Sequence, residues 1–172
     1  MEAALNDSAA GNPIGYGLHM TTKIPDGFIE LPFKTGFVGV NGPLYCRVVD
    51  RTLRLGFRVE ERHCNPMGIC HGGMMALFAD MQLPFAARMQ ADLADRFMPT
   101  MSLTTDFLAT APLGCWVEGR TEVLRKTHKT LFAQMLATAD GEPCLRANGI
   151  FKIGPVVPFG GAMERLLKGE AI

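Results

Sequence analysis

The stretch Gly72-Gly73-Met74-Met75-Ala76-Leu77-Phe78-Ala79-Asp80-Met81-Gln82-Leu83-Pro84-Phe85-Ala86-Ala87-Arg88-Met89-Gln90 carries apolar residues on more than one helical stripe, with few charges among them. A helix on a protein surface shows a single apolar stripe, so this spacing predicts a helix buried nearly all round. Pro84 lies inside the segment and cannot donate to the carbonyl of Asp80, four residues earlier, which predicts a kink.

Strand patterns flank it on both sides. Leu44–Val49 reads as a strand. After a turn at Asp50-Arg51, Leu53, Leu55, Phe57 and Val59 alternate with Arg54, Gly56, Arg58 and Glu60, giving a hairpin with one wet face. Beyond a polar link at Ala91–Arg96 come four more candidates, Pro99–Ala109, Cys115–Arg125, Thr130–Thr138 and Pro143–Ile153. Pro112-Leu113-Gly114, Thr127-His128-Lys129 and Asp140-Gly141-Glu142 are the turns between them. Two strands, one long helix and four antiparallel strands predict an α+β fold, in which a curved sheet of about six strands wraps a central helix. Residues 1–43 hold little periodicity and much Gly and Pro, so an N-terminal covering segment is expected there, docked by Phe28, Ile29, Leu31, Phe33 and Phe37 or carrying a short helix. The main domain is expected at 44–153, and a tail at 154–172 with a short helix over Met163–Lys168.

A chain of 172 residues suffices for one domain with its own core. Its 17 Lys and Arg balance 17 Asp and Glu, which leaves no basic surplus for a nucleic-acid backbone. The longest stretch without Asp, Glu, Lys or Arg, His63–Ala79, contains Asn65, Pro66, His71 and three glycines and is no membrane span. Met1–Asp7 is acidic and lacks an apolar core, so neither a secretory signal nor a transit peptide is read there, and the cytoplasm is the expected location. Cys46, Cys64, Cys70, Cys115 and Cys144 are odd in number, and reduced thiols are expected rather than a disulfide framework. The only serines, Ser8 and Ser102, lie outside any G-x-S-x-G elbow, and the zincin, P-loop, C-x-x-C and dinucleotide patterns are missing. His63, Cys64, Cys70 and His71 match no common zinc spacing, and no metal is expected.

Asn65-Pro66-Met67-Gly68-Ile69-Cys70-His71-Gly72-Gly73, followed by Asp80, asks for a reason beyond folding. A carboxylate among Phe78, Ala79, Met81 and Leu83 is costly to bury unless it is used or paired; a structural role would pair it with an arginine such as Arg58 or Arg88. The Gly72-Gly73 pair opens the helix with bare N–H groups at the positive dipole end, an arrangement that suits an anion or a developing oxyanion. Asp80 comes eight residues after Gly72 (80 − 72), on the helix body.

With Asn65, His71-Gly72-Gly73 and Asp80 in this order on the central helix of a two-strand, helix, four-strand chain, the sequence resembles the hotdog-fold acyl-CoA thioesterases of the phenylacetate (PaaI-like) branch. The likeness runs from about Leu44 to Ile153 and takes in Thr100–Leu108, similar to the family's third-strand motif, and Asp140-Gly141-Glu142, similar to its late hairpin. The resemblance implies that Asp80 is the general base or nucleophile on a thioester carbonyl. It implies that the Gly72/Gly73 helix start, Gly72 N–H above all, polarises the carbonyl oxygen with Asn65. His71 would orient the loop, and Ser102 would help hold the attacking water. It further implies a homodimer or homotetramer whose sites straddle an interface, with Asp80 and Asn65 on different chains. Arg125-Lys126-Thr127-His128-Lys129-Thr130 matches the turn where relatives bind the phosphates of coenzyme A; no cofactor is implied beyond coenzyme A as part of the substrate. Pro84, the link Asp92–Arg96, the N-terminal segment and Ala109 depart from the family where the acyl pocket is shaped. A non-catalytic acyl-CoA binding protein and a hotdog dehydratase or hydratase are the alternatives, and Asn65 with a helical Asp80 argues against the latter.

Overall fold

Helix α2 spans Gly72–Gln90 in the computed structural model, the range its sequence predicts, and it continues through Pro84. The structure describes residues 23–157 together with residues 161 and 165. Phe78, Ala79, Leu83, Ala86 and Ala87 have no exposed surface. The alanines let the helix approach its covering sheet closely. Burying Phe78 and Leu83 contributes about 1.5–3 kcal/mol each.

The covering sheet is built from β1 (Ile29–Glu30), β2 (Tyr45–Val49), β3 (Thr52–Arg58), β4 (Thr100–Phe107), β5 (Trp116–Lys126), β6 (Thr130–Ala139) and β7 (Glu142–Lys152). All pairings are antiparallel, in the order β1-β2-β3-β5-β6-β7-β4. This sheet wrapped on one helix is the hotdog architecture. The two hairpin turns at Asp50-Arg51 and Asp140-Gly141 place both central residues at positive φ (50° and 58°, 47° and 96°), as the tight turns that match strand twist require.

Among the described residues seven strands stand where about six are expected, because the N-terminal segment does more than cover the domain. Ile29 and Glu30 pair with Cys46 and Tyr45 at the sheet edge, so the sheet begins before residue 44. The helix α1 (Gly36–Asn41) comes next. Leu31 is buried, Phe33 meets Phe85 edge-on at 5.9 Å and Phe28 meets Trp116 at 4.9 Å. Phe37, however, is 74% exposed among the described residues. The terminal helix expected over Met163–Lys168 falls almost wholly outside the described residues.

Two features of the sheet shape the surroundings of α2. β3 and β5 pair only over Gly56–Arg58 and Trp116–Glu118, and beyond that the buried Gln82 enters the gap. Its Oε1 accepts the Leu55 amide (2.6 Å), while its Nε2 donates to Leu53 C=O (3.2 Å) and Thr121 Oγ1 (2.9 Å). The other feature is β4, eight residues long with β7 as its sole ladder neighbour among the described strands. That edge carries Met101, Phe107 and Leu108, each more than half exposed. Among the described residues no helix is long and apolar enough to cross a membrane.

Candidate active site

The loop before α2 is a small hairpin locked by its own polar groups. Asn65 Oδ1 accepts the Met67 amide (2.9 Å), and Asn65 N–H donates to Ile69 C=O (2.9 Å). The carboxamide is thereby fixed, and its Nδ2 hydrogens are what it can offer a ligand. His71 is the N-cap of α2, and its Nδ1 accepts the Gly73 amide at 2.9 Å. This corrects one expectation, since the Gly73 N–H is capped rather than bare. A Cβ at Gly73 would come 3.0 Å from that Nδ1, so glycine is what lets the ring sit there. An acceptor at Nδ1 leaves the ring proton of neutral His71 on Nε2. Gly72 opens the helix, with an amide the helix itself cannot satisfy.

Asn65 and Gly72 come together on a cavity of about 370 Å³ whose wall also includes Cys70, Met75, Phe107 and Leu108. A Cβ at Gly72 would lie 3.3 Å from Phe107 Cζ, so the bare glycine lets that ring rest against the helix start. A larger cleft of about 490 Å³ opens around Arg58, Trp116 and Asp140, but its carboxylates are engaged. Glu118 takes Arg47 and Arg54, Asp26 takes Lys23, and Asp140 takes the Trp116 amide.

Asp80 stands apart from the first cavity. It lies eight residues after Gly72, about 12 Å along the helix axis. A reacting atom must sit about 3 Å from both the nucleophile and the donors that hold it, and one bridging water adds about 3 Å, so the Asp80 and Gly72 of one chain do not meet on one carbonyl. Asp80 is half-buried and accepts a 2.6 Å hydrogen bond from Thr100 Oγ1. Arg58 is engaged elsewhere: its Nη1 donates to Gly114 C=O and its guanidinium lies over Trp116. The Arg88 Nε donates to Arg96 C=O.

The placement of Ser102 differs from the expectation. Thr100 pairs with Phe151 and Ser102 with Ile150, leaving Met101 as the extra residue of a β-bulge. Opposed residues share a face. Phe151 is fully buried against the helix, so Thr100, itself exposed at the sheet edge, lies on the helix side of the strand, whereas Ser102 and Ile150 lie on the other side. The bulge turns Thr100 onto Asp80, and the hydroxyl partner of the carboxylate is Thr100 rather than Ser102. Bulges re-aim side chains in this way.

The six residues Arg125–Thr130 form the β5–β6 turn, at the C-terminal end of α2. Lys126 Nζ donates to Ala91 C=O (2.8 Å), which caps the helix, and Thr127 Oγ1 accepts the Thr130 amide (2.9 Å) and shapes the turn. Arg125, His128 and Lys129 are exposed. His63 and His71 do not gather around a metal with Cys64 and Cys70: the Nδ1 of each histidine is occupied by a backbone amide, Glu60 for His63 and Gly73 for His71.

The pattern of the thioesterase superfamily matches residues 67–144. Over 132 residues the chain is 30% identical to a Pseudomonas aeruginosa protein provisionally named an esterase, across 76% of this chain and 98% of that one. The fold is similar to that of a mutant of the phenylacetic acid degradation protein PaaI from Thermus thermophilus, with a TM-score of 0.56 at 17% identity over 64% of this chain and 92% of that one. It is similar also to a hypothetical thioesterase of Streptococcus pneumoniae solved with coenzyme A, with a TM-score of 0.56 at 13% identity over 67% and 88%. The structural likenesses speak for the fold. The sequence pattern covers α2 and β4 to β6, and the curated relative is matched over nearly its whole length; by these the chain belongs to the thioesterase superfamily.

Proposed function

We propose that the protein hydrolyses acyl-CoA thioesters, at a site completed by two copies of the chain. The observation that carries this reading is the Thr100–Asp80 hydrogen bond, which holds a half-buried carboxylate beside an open strand edge. Thr100 occupies Oδ1 and leaves Oδ2 to take a proton from water. The resulting hydroxide adds to the thioester carbon. The oxyanion that forms is held by the Gly72 amide and Asn65 Nδ2 of the other copy, at the positive end of a helix dipole. Collapse expels the thiolate, which leaves as the coenzyme A thiol with the proton Asp80 took up. His71 serves this arrangement as the cap that fixes where the helix begins.

The homo-oligomer is supported by β4. An eight-residue edge with exposed Met101, Phe107 and Leu108 is an unguarded template for pairing, and a twofold axis beside it would bring each Asp80 toward the partner's cavity. Arg125, His128 and Lys129 are free to grip phosphates, while Lys126 and Thr127 hold the turn in shape. A fold neighbour solved with coenzyme A supports that ligand class. The experiment is to measure free thiol release from a panel of short, long and aromatic acyl-CoAs. Release that Asp80→Asn removes supports the reading, and a panel with no release from the wild-type protein overturns it.

A further inference from the structure

Cys64 and Cys70 stand directly opposite each other across the hairpin that carries Asn65. The flanking hydrogen bonds fix their register. Asn65 N–H donates to Ile69 C=O (2.9 Å) and His71 N–H to His63 C=O (2.7 Å), so the two cysteines form a non-hydrogen-bonded antiparallel pair. In such a pair the Cα atoms lie about 4.5 Å apart and the side chains leave the same face. A disulfide spans Cα separations of about 4.4–6.8 Å. Both residues are thiols, with Cys64 Sγ directed to Glu60 C=O (3.4 Å) and Cys70 Sγ to His71 C=O (3.9 Å). The backbone already has the geometry of the bridge, and only χ1 at each residue must change. Cys46, by contrast, faces Leu55 and Ile29 in the ladder.

We propose that Cys64 and Cys70 are a reversible disulfide site, closed by a low-molecular-weight disulfide such as glutathione disulfide, which staples the base of the Asn65–Ile69 loop. Cys64 is half-exposed and Cys70 buried, so Cys64 meets the oxidant. Its sulfur attacks one sulfur of glutathione disulfide, forming a mixed disulfide and releasing one glutathione. Cys70 then attacks Cys64 Sγ, the mixed disulfide breaks, and the second glutathione leaves. The two cysteine protons end on the two glutathione thiols, and two electrons pass from the protein to the oxidant. Burial pushes the Cys70 thiol up to about 12, and burial followed by the Glu61 charge raises Cys64. The pair is therefore mostly protonated at neutral pH and reacts slowly.

The test uses the full chain, equilibrated in glutathione buffers from reducing to oxidising, alkylated and digested with trypsin. Both cysteines lie in one tryptic peptide, His63–Arg88, which contains no other cysteine. The expected result is conversion of that peptide to a form lighter by two hydrogens and closed to the alkylating reagent, reversed by dithiothreitol. Cys64→Ser and Cys70→Ser each abolish the conversion, and Cys115→Ser and Cys144→Ser leave it intact. Amide exchange across residues 65–69 slows in the oxidised form. These readouts do not depend on whether Asp80 hydrolyses a thioester. Free alkylation of both thiols at the oxidising end, a stable glutathione adduct on Cys64, or Cys70 found bridged to Cys144 would each overturn the proposal.

Discussion

Thr100 Oγ1 donates to Asp80 Oδ1 across 2.6 Å, joining the first residue of an edge strand to the middle of the central helix. Asp80→Asn keeps the shape of this contact and removes the proposed base, and kcat for acyl-CoA is expected to fall by about two to four orders of magnitude. Thr100→Val removes a hydrogen bond to a charged group and should lower kcat by about 10- to 100-fold. Ser102→Ala, on the opposite face of the strand, should leave kcat within about twofold. Steady-state kinetics of the three variants order them. A Ser102 loss equal to that of Thr100 would place the serine in the site and refute the face assignment.

The proposed shared site predicts complementation. Asn65→Ala and Asp80→Asn are each expected to be inactive on their own. A heterodimer of the two concentrates both changes in one site and leaves the other intact. Random exchange makes half the dimers mixed, each with one of two sites whole, so the mixture should recover about a quarter of wild-type activity. Unfolding and refolding the variants together, against each alone, gives the measurement. No recovery, with mixed dimers shown by mass, would confine the site to one chain.

Gln82 bridges the gap between β3 and β5, and Gln82→Leu would strand the Leu55 N–H and the Leu53 C=O in the core. Unmet buried groups of this kind cost about 1–3 kcal/mol each, and a loss of about 3 kcal/mol is expected by urea denaturation. Gly119→Ala should destabilise through the same place, because its Cβ would come 2.7 Å from Gln82 Cγ. A Gln82→Leu variant as stable as its parent would show the bridge to be replaceable by packing alone.

His63 is 2% exposed, with its ring edge-on to Phe57. Burial lowers its pKa below the ordinary 6.5, against a smaller opposing pull from Glu60. Between the lowered native value and 6.5 the unfolded chain binds more protons than the folded one. The stability this neutral histidine gives is therefore full above pH 6.5 and declines as the pH falls from there toward the native value. His63→Gln cannot titrate, so it should start less stable at pH 7.5 and lose less on going to pH 5. Equal pH slopes of Tm for parent and variant would remove His63 from the account.

Helix α2 was legible because nineteen residues of unbroken helical pattern leave no competing period. The four later strands lie within two residues of their expected ends, set by the turns at Pro112-Leu113-Gly114, Thr127-His128-Lys129 and Asp140-Gly141. β1 was not legible, since two residues carry no alternation. Of the candidate site, composition and order singled out Asn65, Gly72 and Asp80, and the structure brings Asn65 and Gly72 to one cavity with Asp80 apart from it; the contact of Thr100 with Asp80 depends on a bulge at Met101, and one inserted residue reverses which side of the strand a side chain takes. The same holds for Gln82 and for the Cys64–Cys70 register, which depend on the partner across a gap or a ladder and leave no trace in local spacing. A histidine as N-cap, outside the usual Ser, Thr, Asp and Asn, hid the loss of the Gly73 amide.

β4 is the fourth strand to be synthesised, yet its ladder partner is the last, with Thr100 opposite Phe151, 51 residues later (151 − 100). A growing chain therefore holds both Asp80 and Thr100 long before anything fixes them in relation to each other, and the loop between the two strands must close first. The Thr100–Asp80 contact is therefore a late event of translation. A chain cut short before β7 keeps Asn65, Gly72, Asp80 and Thr100 but lacks the strand that aligns them, and on the proposed reading such a fragment is expected to be silent rather than weak.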